Sequence, residues 1–282
     1  MKLLALNGSH RGDQGHTRFL IDRLFEGAAA AGADCEVITL AKLKINRCLG
    51  CDQCQVDGRL QCVFTGKDDA QAVFGLMAQA DLIVYATPVY IFNLSASLKT
   101  LLERFYGLCH VDSLLATDSG RLFHHVDRAV CSKPFVSLIC CDNLESDTPR
   151  TVRTYFRAFS QFMDAPHVGE LVRNGGLLAG YGHDPAAARR LPKLPEIYAA
   201  YAQAGRELAT AGRIRPATQG RANQELVPVP LFGLLKRLPF KPLKQQMVVR
   251  AQAMQAEVRS VATARPTTAR PTTARPTTAA KP

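Results

Sequence analysis

No run of about 18 consecutive apolar residues occurs in the chain, so the sequence holds no segment that reads as a membrane-crossing helix. Nor does a leader precede the first apolar stretch, and the expectation from that start is a cytoplasmic protein. Both glycine-rich nucleotide fingerprints are missing as well. The loop after the first apolar run lacks a Gly-Lys-Ser/Thr ending, and its glycines at positions 8, 12 and 15 do not match GxGxxG. The body of the chain also lacks excess charge. Net charge is +11, but residues 213–282 carry 13 of the 35 Lys and Arg against two of the 24 Asp and Glu, which leaves 22 of each sign before them. A nucleic-acid reading of the body loses its support there, no nucleic-acid partner is expected, and binding through the tail alone would weaken steeply with salt.

What is present is enough apolar material for one sizeable α/β domain. The 282 residues are 47% hydrophobic, and short apolar runs alternate with segments of helical period. Leu3–Leu6, Cys35–Leu40, Asp81–Ala86, Phe135–Cys141 and His167–Val172 read as strands. Helices are expected from about His16 to Ala31, after Asp68-Asp69, from Leu94 to Leu108, over Thr151–Met163 and over Pro185–Ala211, the last interrupted near Pro192 and Pro195. Strands alternating with helices imply a parallel sheet. Asp68 and Asp69 read as a helix cap rather than a catalytic pair. Pro88 is expected to stop the third strand. The long connection from Cys109 to Lys133 contains His110, His124 and His125, which read as part of a solvated lid or partner-contact loop rather than a metal site.

Three units follow. Residues 1–212 form the domain, with a cysteine-rich excursion at 47–67. Residues 213–263 form a basic, apolar extension, whose stretch Val227–Leu243 suits a surface-docking peptide. Residues 264–282 repeat Ala-Arg-Pro-Thr-Thr and are expected to be disordered.

Two places carry chemistry. The first is Leu3–Thr17, LLALNGSHRGDQGHT, where a strand, a polar loop and a helix N-terminus meet. Free N–H groups and the helix dipole favour an anion such as a phosphate, and Ser9, Arg11 and Thr17 can add donors; an ordinary polar turn fits the same residues. Thr87-Pro88-Val89-Tyr90-Ile91-Phe92-Asn93 lies at the same sheet edge, and Tyr90 and Phe92 either cover a ring system or simply pack. The second place is the excursion, where Cys48, Cys51 and Cys54 stand at CxxCxxC and Cys62 follows seven residues on. Nine cysteines, an odd number, point to thiols or metal ligands rather than disulfides. The spacing leaves three readings: a cubane iron-sulfur cluster, a zinc site, or thiols without metal.

In combination, GSHRGDQGHT, CLGCDQC with Cys62 and Asp68-Asp69, and TPVYIFNLSASLK resemble the NADPH-dependent FMN reductase family of flavodoxin-like proteins, and within it the iron-sulfur flavoproteins. The likeness is close over residues 1 to about 105 and looser to about 210. The family's Ser-x-Arg-x-x-Gly-Asn-Thr is carried by Ser9, Arg11, Gly15 and Thr17, with one extra residue and with His16 in place of asparagine. The resemblance implies a doubly wound five-stranded sheet in the order 2-1-3-4-5. It implies FMN held by Ser9, Arg11, Gly15, His16, Thr17, Thr87, Pro88, Val89, Tyr90, Phe92 and Asn93, and a helix from Ser95 to Lys99 used in a homodimer or higher homo-oligomer. Cys48, Cys51, Cys54 and Cys62 would hold a 4Fe-4S cluster. The implied activity is an NAD(P)H oxidoreductase in which FMN passes electrons to a small-molecule or protein acceptor, with no catalytic side chain nominated. A competing reading is a non-enzymatic flavin- or metal-binding sensor whose basic tail meets an anionic partner. The 109–133 connection and the basic tail have no counterpart in the family.

Overall fold

The computed structural model describes residues 1–58, 60–180, 184–226 and 239–263. Strand β1 (Lys2–Asn7) leads through the first loop to helix α1 (His16–Ala30) and then to β2 (Asp34–Thr39). After the cysteine excursion come α2 (Ala70–Gln79), β3 (Leu82–Tyr90), the short β4 (Asn93–Leu94) and α3 (Ala96–Glu103). Next are the hairpin β5 (Cys109–Ala116) and β6 (Leu122–Val126), α4 (Arg128–Cys131), β7 (Phe135–Cys141), α5 (Arg150–Phe162) and β8 (His167–Asn174). The remainder is helical: α6 (Gly176–Gly180), α7 (Pro185–Ala188), α8 (Leu194–Ala211), α9 (Pro216–Ala222) and α10 (Lys241–Thr263).

Five strands pair in parallel in the order β2-β1-β3-β7-β8, which is the 2-1-3-4-5 order read from the motifs. The apolar runs are continuous because both faces of the central strands are covered. Leu3 and Ala5 join Leu82, Val84 and Ala86 in the core beneath α1 and α8, whereas Leu4 and Leu6 join Ile83 and Tyr85 beneath α2, α3 and α5. Each fully buried leucine contributes about 1.5–3 kcal/mol relative to exposure. Helices α1 and α8 approach backbone to backbone. A Cβ on Gly27 would fall 1.7 Å from the Ala202 carbonyl oxygen, and one on Gly205 would fall 1.8 Å from that of Leu24.

Several expectations need correction. Strand β3 continues through Pro88 to Tyr90, with Pro88 opposite Cys140. Strand β1 ends at Asn7 opposite Ala86, so beyond that point one side of β3 has no ladder to donate to, and a missing N–H is tolerated. Residues 109–133 are not an irregular loop: β5 and β6 form an antiparallel hairpin, with His110 paired to His125 and Leu114 to His124. The helix after Ser95 is α-helical only to Glu103 and turns 3-10 from Arg104 to Leu108. Asp69 occupies the cap position of α2 without a side-chain cap bond, and its carboxylate accepts instead from the Lys44 N–H at 2.7 Å.

Past Gly212 the chain stays on the body. Ile214, Ala222 and Leu226 are buried in the core beside α1 and α8, and Lys241 opens a helix within the stretch read as a docking peptide. The rest of that peptide, 227–238, and the repeat 264–282 lie outside the described residues.

Candidate functional site

The carboxyl ends of β1 and β3 meet at one point, the edge at which open α/β sheets bind ligands. The β1–α1 loop is built almost wholly from its own atoms. Asn7 Oδ1 accepts from the Ser9 N–H at 3.1 Å, Asn7 Nδ2 donates to the Gly12 carbonyl at 3.2 Å, and Ser9 Oγ accepts from the Arg11 N–H at 3.3 Å. Gly12 turns the chain with φ +57°, a conformation that costs glycine little. Gly15 then sits at the start of α1 with no side chain capping it. Among the described residues, the backbone N–H groups of His10, His16 and Thr17 take no partner. That leaves α1 with its positive dipole end and free donors turned toward the loop. Arg11 is exposed beside them. The arrangement fits an anionic group such as a phosphate through backbone donors and one guanidinium.

The side chains of two expected donors are packed against the body. Thr17 is 1% exposed and packs beside the buried Cys140. His16 packs its ring so tightly on α6 that a Cβ at Gly180 would fall 1.9 Å from Nδ1, and its buried Nε2 has no partner. Burial pushes the His16 ring below its ordinary value of 6.5; Asp142 opposes this and Arg11 adds to it.

The β3–β4 hairpin flanks this loop. Gly8 N–H donates to the Ala86 carbonyl at 2.8 Å, Ser97 Oγ donates to the Gly8 carbonyl at 2.9 Å, and the rings of His10 and Tyr90 lie 5.0 Å apart. Thr87 is fully buried; its hydroxyl donates to the Pro88 carbonyl and accepts from the Ser95 N–H, each at 2.9 Å. Tyr90 pairs with Asn93 across a two-residue turn in which Ile91 has φ +45° and Phe92 φ +65°. Glycine and asparagine are the usual occupants of such positions, and a β-branched residue there stores on the order of 1–3 kcal/mol of strain. Ile91 is 89% exposed and Phe92 62%, so an apolar tip stands in solvent beside the anion loop.

Sequence reasoning missed the structural serines and the hairpin. Ser95 caps α3, accepting from the Leu98 N–H, and could have been found as a serine placed before a helical run. The hairpin carries no Asn-Gly or Asp-Gly signal and was not legible. Asp142 and Asn143 follow β7 at the same edge, in the loop that the edge argument favours.

The four cysteines of the excursion line one small cavity together with Arg104, Tyr106 and Gly107. Cys54 is buried, Cys48 and Cys62 are half-buried and Cys51 is exposed. Burial raises the Cys54 thiol, a hydrogen bond from Gln55 works against it, and the neighbouring Cys62 and Cys48 raise it further. The cavity encloses about 20 Å³, room for roughly one water. Among the described residues no group of three His, Cys, Asp or Glu could hold a single metal ion. The donor set, four thiols beside a guanidinium, is that of an anionic thiolate cluster, but a cubane would have to part these walls.

Two interactions pin the excursion. Arg104 and Asp68 form an ion pair at 2.5 Å with side chains 4% and 1% exposed, and Arg104 also donates to the Asn46 carbonyl. Burial alone would raise the Asp68 carboxyl, but hydrogen bonds from Arg104 and from the Asn46 and Ala70 N–H groups hold it below its ordinary value. Tyr106 donates to Asp52 at 2.7 Å, which pushes the phenol up to about 12.

Sheet order, two-sided core and site at the β1/β3 edge define a flavodoxin-like α/β protein. Residues 1–119 match the model of the NADPH-dependent FMN reductase family, which bears out the resemblance carried by the three motifs. An iron-sulfur flavoprotein of Methanocaldococcus jannaschii is 34% identical over 104 residues, 37% of this chain and 51% of that protein. One from Archaeoglobus fulgidus is 38% identical over 104 residues, 37% of this chain and 48% of that protein. The aligned stretch spans about half the length of these curated relatives. The fold is shared with the FMN-dependent NADH-azoreductase of Bacillus anthracis solved in complex with FMN, at a TM-score of 0.54 and 14% identity over 74% of this chain and 99% of that one. It is shared too with the NAD(P)H:quinone oxidoreductase of Methanothermobacter marburgensis, at a TM-score of 0.51 and 16% identity over 74% and 98% of the chains.

Proposed function

We propose that the chain is an FMN-dependent NAD(P)H oxidoreductase. The observation that carries this reading is the open start of α1: free N–H groups at His10, His16 and Thr17 beside Arg11, in a loop shaped by Gly12 and Gly15. FMN, when bound, supplies hydride acceptance and its division into single electrons. The protein's share is binding and orientation. The His16 and Thr17 N–H groups and Arg11 would hold the phosphate, and Tyr90 and Phe92 would cover the ring system and exclude water. His16, kept neutral by burial near neutral pH, would add no second full charge beside Arg11. FMN titration of the purified protein tests this: stoichiometric uptake with NAD(P)H oxidation is expected, and colourless protein that refuses added FMN overturns it.

Cys48, Cys51, Cys54 and Cys62 would hold a four-iron cluster that relays electrons onward to a one-electron carrier. Supporting this are their shared cavity, the adjacent Arg104 and the names of the curated relatives. Gly50 and Gly58 adopt left-handed conformations in the excursion, which costs glycine little. Reconstituted protein should bind iron and acid-labile sulfide in equal amounts, with Cys54→Ser losing both while retaining FMN. Equal iron in the variant would sink the cluster.

A further inference from the structure

The cavity of the four cysteines contains one donor that the protein itself does not use. Arg104 opens the 3-10 turn after α3 and lines the cavity beside Cys48, Cys51, Cys54 and Cys62. Its Nη1 donates to Asp68 Oδ2 at 2.5 Å and to the Asn46 carbonyl at 3.0 Å. Its Nε is buried and has no partner. Among the described residues that line this cavity, Arg104 alone carries a buried side-chain nitrogen in that condition. A buried donor without an acceptor has lost its hydration and gained nothing in return, which calls for a partner outside the polypeptide.

The surroundings of Arg104 identify that partner. The Phe64 ring lies over the guanidinium, 5.3 Å from Cζ. A ring on the face leaves the N–H edge, which lies in the guanidinium plane, free to donate. Gly107, on the same turn, brings bare backbone up to the thiols: a Cβ there would stand 3.7 Å from Cys54 Cβ and 3.9 Å from Cys62 Cβ. The nearby carboxylates are engaged. Asp52 accepts from Tyr106, and Asp68 accepts from Arg104 Nη1 and from the Asn46 and Ala70 N–H groups. Sulfur is the acceptor that remains, and Gln55 Nε2 already reaches Cys54 Sγ at 3.5 Å.

We propose that Arg104 Nε–H donates a hydrogen bond to a sulfur of the cluster, a cysteine Sγ or an inorganic sulfide, and sets its potential through that bond rather than through charge. The role rests on the four-iron reading of the excursion. The positive charge of Arg104 is already matched by Asp68, so what the side chain still offers is one directed N–H. An added electron makes the accepting sulfur more negative and strengthens the bond, which favours the reduced state. No proton moves, because the guanidinium stays protonated.

Two variants separate the bond from the charge. Arg104→Lys keeps a cation for Asp68 but places a methylene where Nε was. Arg104→Gln in an Asp68→Asn background removes both charges and keeps an N–H at the Nε position. Dithionite titration of the reconstituted full chains, followed by EPR, measures their potentials. The lysine variant is expected to shift about tenfold toward the oxidised cluster, on the order of 59 mV for one electron, with iron and sulfide unchanged. The glutamine variant should stay near the wild type. A lysine variant at the wild-type potential overturns the donor. Resonance Raman of the wild type reconstituted in D2O needs no variant: Fe–S stretching bands should shift on deuteration, and bands that do not shift also overturn it. Wild-type protein that takes up no iron or sulfide removes the cluster reading and the donor with it, whereas a loaded cluster indifferent to Arg104→Lys removes the donor alone.

Discussion

The β1–α1 loop and the cysteine excursion both leave the sheet at its carboxyl edge, yet they are held in opposite ways. In the first, the turn itself is shaped locally, by Asn7, Ser9 and Gly12 bonding within five residues, and Ala86, Ser97 and Thr39 tie its ends to the body. In the second, the restraints come from residues far along the chain. Asp68 is bound by Arg104, Asp52 by Tyr106, and Gln55 by the Tyr106 carbonyl and the Val111 N–H. A loop made of its own backbone is preformed for a ligand. One held by a few remote side chains can open, which is what a group larger than 20 Å³ requires of it.

The sharpest way to break this contrast is Asp68→Ala, which leaves Arg104 buried and unpaired. A loss of about 3–5 kcal/mol is expected in urea unfolding, with FMN affinity retained in the folded fraction. A loss under 1 kcal/mol would show that the ion pair does not hold the excursion. The same pair sets an acid limit. Because folding depresses the Asp68 pKa below 3.8, its stabilisation is complete above that value and fades as pH falls through the folded value. Asp68→Asn should flatten the stability profile below pH 3.8, and an unchanged acid slope would assign that slope to other carboxylates.

Next in size is Gly15→Ala. Its Cβ would fall 2.3 Å from Ser9 Oγ, so the loop must shift at a cost of about 1–3 kcal/mol. Weaker FMN binding with an undisturbed excursion is expected, read by flavin titration beside iron content. The smallest effect belongs to Ser97→Ala, which removes the hydroxyl that ties Gly8 to α3. About 1 kcal/mol of stability should go, by thermal unfolding, and a larger change would mean that the hairpin and the anion loop form one cooperative unit.

Much of this was legible. The apolar runs at 3–6, 82–86 and 135–141 could only be strands covered on both faces, and the polar loop between β1 and α1 announced its place at the sheet edge. What escaped notice was tertiary in origin. Pro88 lies in a strand because β1 ends before reaching it. Asp68 accepts from the first N–H of its own helix, as a cap would, but also binds an arginine 36 residues away. Thr17 is buried in the body, which no local pattern discloses. Helix α10 was hidden because its polar lysines and glutamines read as tail composition, whereas its packed face includes Met247, Ala251, Met254 and Val258.

The close approach of α1 and α8 at Gly27 and Gly205 has a consequence for how the molecule is made. During synthesis α1 leaves the ribosome long before the partner that seals its outer flank, which arrives only with residues 194–211. Until then Phe19, Leu24 and Ala28 stay uncovered on that side, so a fragment cut at residue 119, where the family match stops, would carry an open seam and aggregate.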